Sequence, residues 1–146
     1  MIHYPLTFDV EAHAASGIST TWSTRAQAHM THEIPAAIPP EFEGPGQGLS
    51  PEDLYALALT NCFIATFKVF AEKSKVSFRE ILAQTRLSVD RDEKGHPWMA
   101  RADLKITLSG ASDAERARRL LEKTSQSCLV LNSVRTQKSF EFQLQD

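Results

Sequence analysis

The chain has two cysteines: Cys62, within GLSPEDLYALALTNCFIATFKVFAEKS (residues 48–74), and Cys128, within TSQSCLVLNSV. A buried cysteine serves either as a small hydrophobe or as a nucleophilic thiol, the latter when a cation or hydrogen-bond donor stabilises its thiolate. Cys62 falls 12 residues past Ser50, the expected cap of its helix, too far in for the helix dipole to act on it. Activation there needs a neighbouring cation or a hydrogen bond to sulfur. Cys128 lies at the end of a second expected helix, where Ser127 can cap a new turn whose amides would stabilise a thiolate. The two are 66 positions apart, so this is no CxxC element, and spacing alone does not bring the sulfurs together. On composition, two inert buried thiols remain as good a reading as a redox pair.

The other residues that could do chemistry are sparse. Glu52 precedes Cys62 by ten residues, about 15 Å along a helix at 1.5 Å per residue. It can share a site with Cys62 only from a second subunit; otherwise it is a first-turn acid favoured by the helix dipole. His29 and His32 are three apart on an expected strand and so fall on opposite faces, while His3, His13 and His96 are isolated. No cluster has metal-ligand spacing. Ser50 is used as a cap and no G-x-S-x-G elbow exists, which argues against a serine hydrolase. Neither helix follows a glycine-rich nucleotide loop, so no cofactor is expected.

The elements that must position the cysteines can be read from pattern. Tyr4, Leu6, Phe8 and Val10 alternate as in a half-buried strand, ISTTWSTRAQAHM reads as a second, and EIPAAI as a short third. PPEFEGPGQG is a loop. Ser50, Pro51 and Asp53 then form a helix start with a capping box. Leu54, Leu57, Ala58, Cys62, Ala65 and Val69 recur at helical spacing, and Tyr55, Leu59, Phe63, Phe67 and Phe70 add a second apolar flank. A helix apolar on so many sides is covered on more than one face. FREILAQTRLSVD passes from a helical turn into a strand, RDEKGHP is a charged turn, and WMARADLKITLSG returns as the second strand of a hairpin. Ser112, with Glu115, caps a second helix whose apolar side is Ala117, Leu120, Leu121 and Thr124, and SFEFQL closes the chain as a strand. The layout is α+β, in one domain over residues 1–146.

Composition narrows the partners. The 146 residues carry a net charge of −2, with 42% hydrophobic and 23% charged residues, as in an ordinary globular protein. The densest basic patch, Arg116, Arg118 and Arg119, is flanked by Glu115 and Glu122 and reads as a solvated helix face, not a nucleic-acid surface. The N-terminus lacks the pattern of a signal peptide, and Thr60, Asn61, Thr66 and Lys68 interrupt the longest apolar run, so neither export nor a membrane span is expected. The expected location is cytoplasmic, where paired cysteines are more often redox-active than structural.

Taken together, GLSPEDLYALALTNCF, SCLVLNSV, the spacing between them, the N-terminal strands and the closing strand resemble the OsmC/Ohr family of peroxide-reducing proteins over nearly the whole chain. The resemblance implies an OsmC-like fold in which two sheets wrap long central helices in an intertwined homodimer, with thiol sites at the subunit interface. It implies that Cys62 attacks the peroxide and Cys128 resolves the sulfenic acid to a disulfide, which an external dithiol reopens. In the hydroperoxide-reducing branch that reductant is a lipoylated protein. Glu52 matches the glutamate that hydrogen-bonds the branch's arginine. That arginine follows a glycine between the first two strands, where AASGIS here has Ile18; Arg25 is the candidate replacement, with Arg101 and Arg135 as others. The family's usual Cys-Pro is Cys128-Leu129 here. Phe63, Phe67 and Trp22 would either wall a pocket for organic hydroperoxides or belong to the core. The competing expectation is a non-catalytic or redox-sensing dimeric relative of the same fold.

Overall fold

The computed structural model describes residues 3–26 and 33–146. The chain divides into two compact units, Met1–Leu54 and Tyr55–Asp146.

The first unit is built on an antiparallel sheet of β1 (Val10–His13), β2 (Trp22–Ala26) and β3 (Ile34–Ala36), in that order. Glu11 lies opposite Arg25 and Trp22 opposite Ala36. The first strand begins later than the alternation of Tyr4, Leu6 and Phe8 predicts. Backbone pairing starts only at Val10, and Tyr4 and Phe8 are exposed. Alternation supplies a strand face, but a strand also needs a partner for its amides and carbonyls. The expected second strand is present from Trp22, while His29 and His32, the histidines considered for a metal site, lie outside the described residues. The Pro/Gly-rich loop contains one short 3-10 turn, Pro40–Phe42.

Helix α1 (Pro51–Lys73) begins at the end of this unit. Its expected capping box is formed: Ser50 N–H donates to Asp53 Oδ2 (2.9 Å), and Asp53 N–H donates to Ser50 Oγ (3.0 Å).

The second unit contains the rest of α1, the hairpin β4 (Glu80–Arg91) and β5 (Pro97–Ser109), helix α2 (Ala114–Ser127) and β6 (Gln137–Gln145). β5 is central, antiparallel to β4 and parallel to β6, with α2 as the crossover that parallel strands require. No helical turn precedes β4. The cap of α2 is Asp113, whose carboxylate accepts from Arg116 N–H, one residue after the expected Ser112. Ser112 instead pairs with Ser77, donating its N–H to the Ser77 carbonyl and accepting the Ser77 N–H at Oγ.

The core of this unit is one cluster: Leu59, Phe63, Phe67 and Ala71 from α1, Ala102, Leu104, Ile106 and Leu108 from β5, Ala117 and Leu121 from α2, together with Val76, Cys128 and Leu131. The flank of α1 that carries the phenylalanines is therefore the buried one. On the other row, Leu57 and Val69 remain 44% and 49% exposed. By length and mean hydropathy (1.6) α1 also meets the requirement for a membrane span, despite its polar interruptions. Its Leu59–Phe63–Phe67–Ala71 row nonetheless packs as the core helix of a sheet.

Candidate thiol site

Cys62 follows from the packing of α1. With Phe63 turned into the core against Phe140 and Phe142, the preceding residue falls at the edge of the buried face, where Cys62 is half-buried. Cys128 is set by the end of α2. Its N–H closes the last helical turn on the Thr124 carbonyl (3.1 Å), its ψ of 120° takes the chain out of the helix, and its carbonyl accepts from Asn132 N–H (2.9 Å). This exit turns the side chain into the core, where Cys128 has no exposed surface.

The two cysteines form a disulfide, with Cα atoms 6.2 Å apart, within the ordinary range for such a bond. Packing of α2 against the core thus joins residues that sequence spacing alone leaves apart.

The surroundings of Cys62 depart from the sequence expectation in one informative way. The new turn after α2 does form, as the 3-10 turn Leu131–Ser133, but Cys128 caps the old helix and does not begin the new one. The amide that this turn frees belongs to Val130, and it donates to Cys62 Sγ (3.4 Å). Thr66 Oγ1, one helical turn on from Cys62, lies 3.9 Å from the same sulfur. The hydrogen-bond donor required for a mid-helix thiolate is therefore supplied by backbone beside the other cysteine. Thr66 stands at the i, i+4 spacing that places side chains together on a helix and was visible in the sequence. Val130 acts through its main chain, which carries no side-chain signature.

Arg25 and Glu52 belong to the first unit. Arg25 Nε and Nη2 both reach Glu11 Oε1 at 2.7 Å, across the directly opposed β1–β2 pair. The Arg25 hydrogen bond holds the Glu11 carboxyl below its usual range. With His13, Ser23 and Glu33 they line a hollow of about 230 Å³. Glu52 occupies the first turn of α1 beside Asp53. An unbroken helix keeps it about 15 Å along the axis from Cys62 of its own chain. Phe63 and Phe67 are fully buried core and wall no open pocket. Among the described residues no group of three or more His, Cys, Asp or Glu is placed to hold a metal ion.

The stretch that holds both cysteines, one within α1 and the other at the end of α2, is matched by a family model for OsmC-like protein over residues 44–143. The chain belongs to the OsmC/Ohr family. No curated protein matches it by sequence. Among solved structures, an OsmC-like protein of unknown function from Vibrio cholerae is similar at a TM-score of 0.81 and 16% identity, over 94% of this chain and 99% of that one. An organic hydroperoxide resistance protein from Elizabethkingia anophelis follows at 0.75 and 18%, over 99% of both chains. A Vibrio cholerae protein described as a putative organic hydroperoxide resistance protein, with captopril bound in one of its active sites, has a TM-score of 0.68 and 22% identity, over 96% of this chain and 93% of that one. At these identities the likeness establishes the OsmC-like α+β fold, here with two three-stranded sheets and a long helix.

Proposed function

We propose that this protein is a thiol-dependent peroxidase that reduces organic hydroperoxides to alcohols. The observation that carries the reading is the asymmetric thiol pair: a half-buried Cys62 whose sulfur accepts the Val130 amide, bonded to a buried Cys128. The Cys62 thiolate attacks the distal oxygen of the hydroperoxide. The O–O bond breaks, the alkoxide takes a proton and leaves as alcohol, and Cys62 becomes a sulfenic acid. The Cys128 thiol displaces hydroxide from that sulfur; water leaves and the disulfide forms. An external dithiol reduces it through a mixed disulfide and is itself oxidised. In the hydroperoxide-reducing branch this partner is a lipoylated protein, and we assign the same class here.

The reading takes the working form as a homodimer. In support, the uncovered row of α1, with Leu57 and Val69 exposed, offers apolar surface to a second copy. In such a dimer Glu52 acts on the thiol site of the partner subunit. Arg25 takes the role of the arginine absent at Ile18; within its own chain it is bonded to Glu11, so that role requires it to exchange Glu11 for Glu52.

A second reading, a redox sensor or binding protein with little or no turnover, is favoured by two particulars. Ile18 stands where the branch has its arginine, and an exposed Leu129 follows Cys128 where the family usually has proline.

The experiment separating the two mixes reduced protein with one equivalent of cumene hydroperoxide and follows free thiols by intact mass over seconds. Peroxidase chemistry consumes two thiols rapidly in the parent, leaves a trappable sulfenic acid only in Cys128→Ser and, once excess dithiothreitol is added, consumes many equivalents of peroxide, whereas a sensor stops near one. Survival of both thiols for minutes in excess peroxide ends the peroxidase reading in favour of the second.

A further inference from the structure

The segment that delivers both Cys128 and the Val130 amide is short. Between the end of α2 and the start of β6 the chain makes one three-residue 3-10 turn, Leu131–Ser133, too short to be stable by itself. Its near end is tied internally: Asn132 N–H donates to the Cys128 carbonyl, Ser133 Oγ to the Leu129 carbonyl (2.8 Å), and Asn132 Nδ2 to the Gln126 carbonyl (2.9 Å). Its far end is held at two places: Thr136 Oγ1 donates to the Met99 carbonyl (2.7 Å) and shares a hydrogen bond with the Tyr55 hydroxyl (2.6 Å), and Lys138 reaches the turn itself. Lys138 Nζ donates to the Leu131 carbonyl at 2.7 Å and to the Val134 carbonyl at 3.0 Å.

Lys138 is out of pattern for its strand. On β6 the exposed positions are Gln137, Glu141, Gln143 and Gln145, while Phe140, Phe142 and Leu144 pack against the core. Lys138 shares the alternation of those three apolar residues and is half-buried, opposite Ala102 of β5. A lysine at such a position loses hydration and rotamer freedom, and a charge-assisted bond to each of two carbonyls offsets that loss. One of those carbonyls belongs to the first residue of the turn and the other to the residue that follows it, so the ammonium group brackets the turn.

We propose that Lys138 is the positioning residue of the thiol pair. It pins the Cys128–Val134 segment to the sheet, which keeps Cys128 within bonding reach of Cys62 and the Val130 N–H on Cys62 Sγ. Releasing the pin lowers the effective concentration of one thiol toward the other and so weakens the disulfide relative to an external dithiol. The inference rests on the functional reading only in taking the pair to be reversible.

The test equilibrates the full-length parent, Lys138→Met and Lys138→Arg with mixtures of reduced and oxidised dithiothreitol, with no peroxide present, and quantifies the Cys62–Cys128 disulfide by mass. Lys138→Met is expected to lower the equilibrium constant for the disulfide about tenfold, a shift of about 30 mV. Lys138→Arg, which keeps the charge and the donors, is expected to recover most of it. A purely structural lysine would change the melting temperature without this graded response. A Lys138→Met equilibrium within about twofold of the parent overturns the role. If Lys138→Met does not fold, Lys138→Gln carries the comparison on the same criterion. A parent disulfide that excess dithiothreitol cannot reduce fails the functional reading itself, an outcome distinct from an unchanged variant.

Discussion

The two ends of one disulfide sit in opposite surroundings. Cys62 is half-buried on the edge of a helix, with the Val130 N–H and the Thr66 hydroxyl at its sulfur. Cys128 is sealed in the core beside Leu121 and Leu131, and its main-chain groups are spent on Thr124 and Asn132. Donors favour negative charge on a sulfur, whereas burial among apolar side chains opposes it. The difference separates the labour that a symmetric pair would have to share. In the proposed cycle that division gives one sulfur the reaction with a molecule from outside and the other the reaction with its partner. It also explains why a cysteine belongs on α1, whose neighbouring residues are mostly apolar: the donor comes from a different element.

The largest expected effect concerns the bond that joins the two environments. It closes a loop across a separation of 66 residues, for which chain-entropy reasoning gives about 4 kcal/mol of stabilisation against the unfolded chain. Urea unfolding of oxidised and reduced protein should differ by that order. A difference under about 1 kcal/mol would mean that the reduced ends do not separate freely in the unfolded chain, and the contrast between them would lose its energetic weight.

Serine substitution distinguishes the two ends next. In the reduced protein, Cys128→Ser places a hydroxyl where the cysteine is fully buried and should cost about 1–3 kcal/mol, more than Cys128→Ala. Cys62→Ser meets a ready amide donor and some solvent and should cost less than about 1 kcal/mol. Equal costs in a thermal or urea series would erase the asymmetry.

How much of this was legible in the sequence depends on the range of the interaction responsible. The start of α1 was readable because Ser50 and Asp53 satisfy each other within one turn, and the β4–β5 hairpin because its charged turn separates two long runs. The cap of α2 slipped by one residue because Ser112 and Asp113 are both competent caps, and only the pairing of Ser112 with Ser77 in space decides between them. The start of β1 was misplaced for a related reason: the alternation of Tyr4, Leu6 and Phe8 specifies a face but not a partner strand. On α1 two apolar flanks competed, and the bulkier, phenylalanine-bearing one took the core. Within the site, both cysteines were visible as residue types. The disulfide reflects the packing of α2 against the core, and the Val130 amide is backbone chemistry that any residue except proline could supply.

That last point permits the most selective test of the comparison. Val130 has φ −66° and ψ −44°, a φ that proline adopts without strain. Val130→Pro therefore removes the donor at Cys62 Sγ while leaving the local backbone angle acceptable, and Val130→Ala, which keeps the N–H, is its control. A hydrogen bond to a charged group is worth about 1.5–3 kcal/mol. Alkylation of Cys62 by iodoacetamide in the reduced proline variant should thus slow by about tenfold or more, with Cys128 unchanged. Thr66→Val should slow Cys62 only about two- to threefold, because a hydroxyl 3.9 Å away is at the limit of a bond to sulfur. If proline slows both cysteines alike, the turn has moved as a whole and the amide has no separate part. If proline slows neither while the alanine control is also silent, the favourable surroundings of Cys62 must come from something other than the two donors. If only Cys62 responds, and more to Val130→Pro than to Thr66→Val, its reactivity is assigned to one main-chain group delivered from the far end of the disulfide.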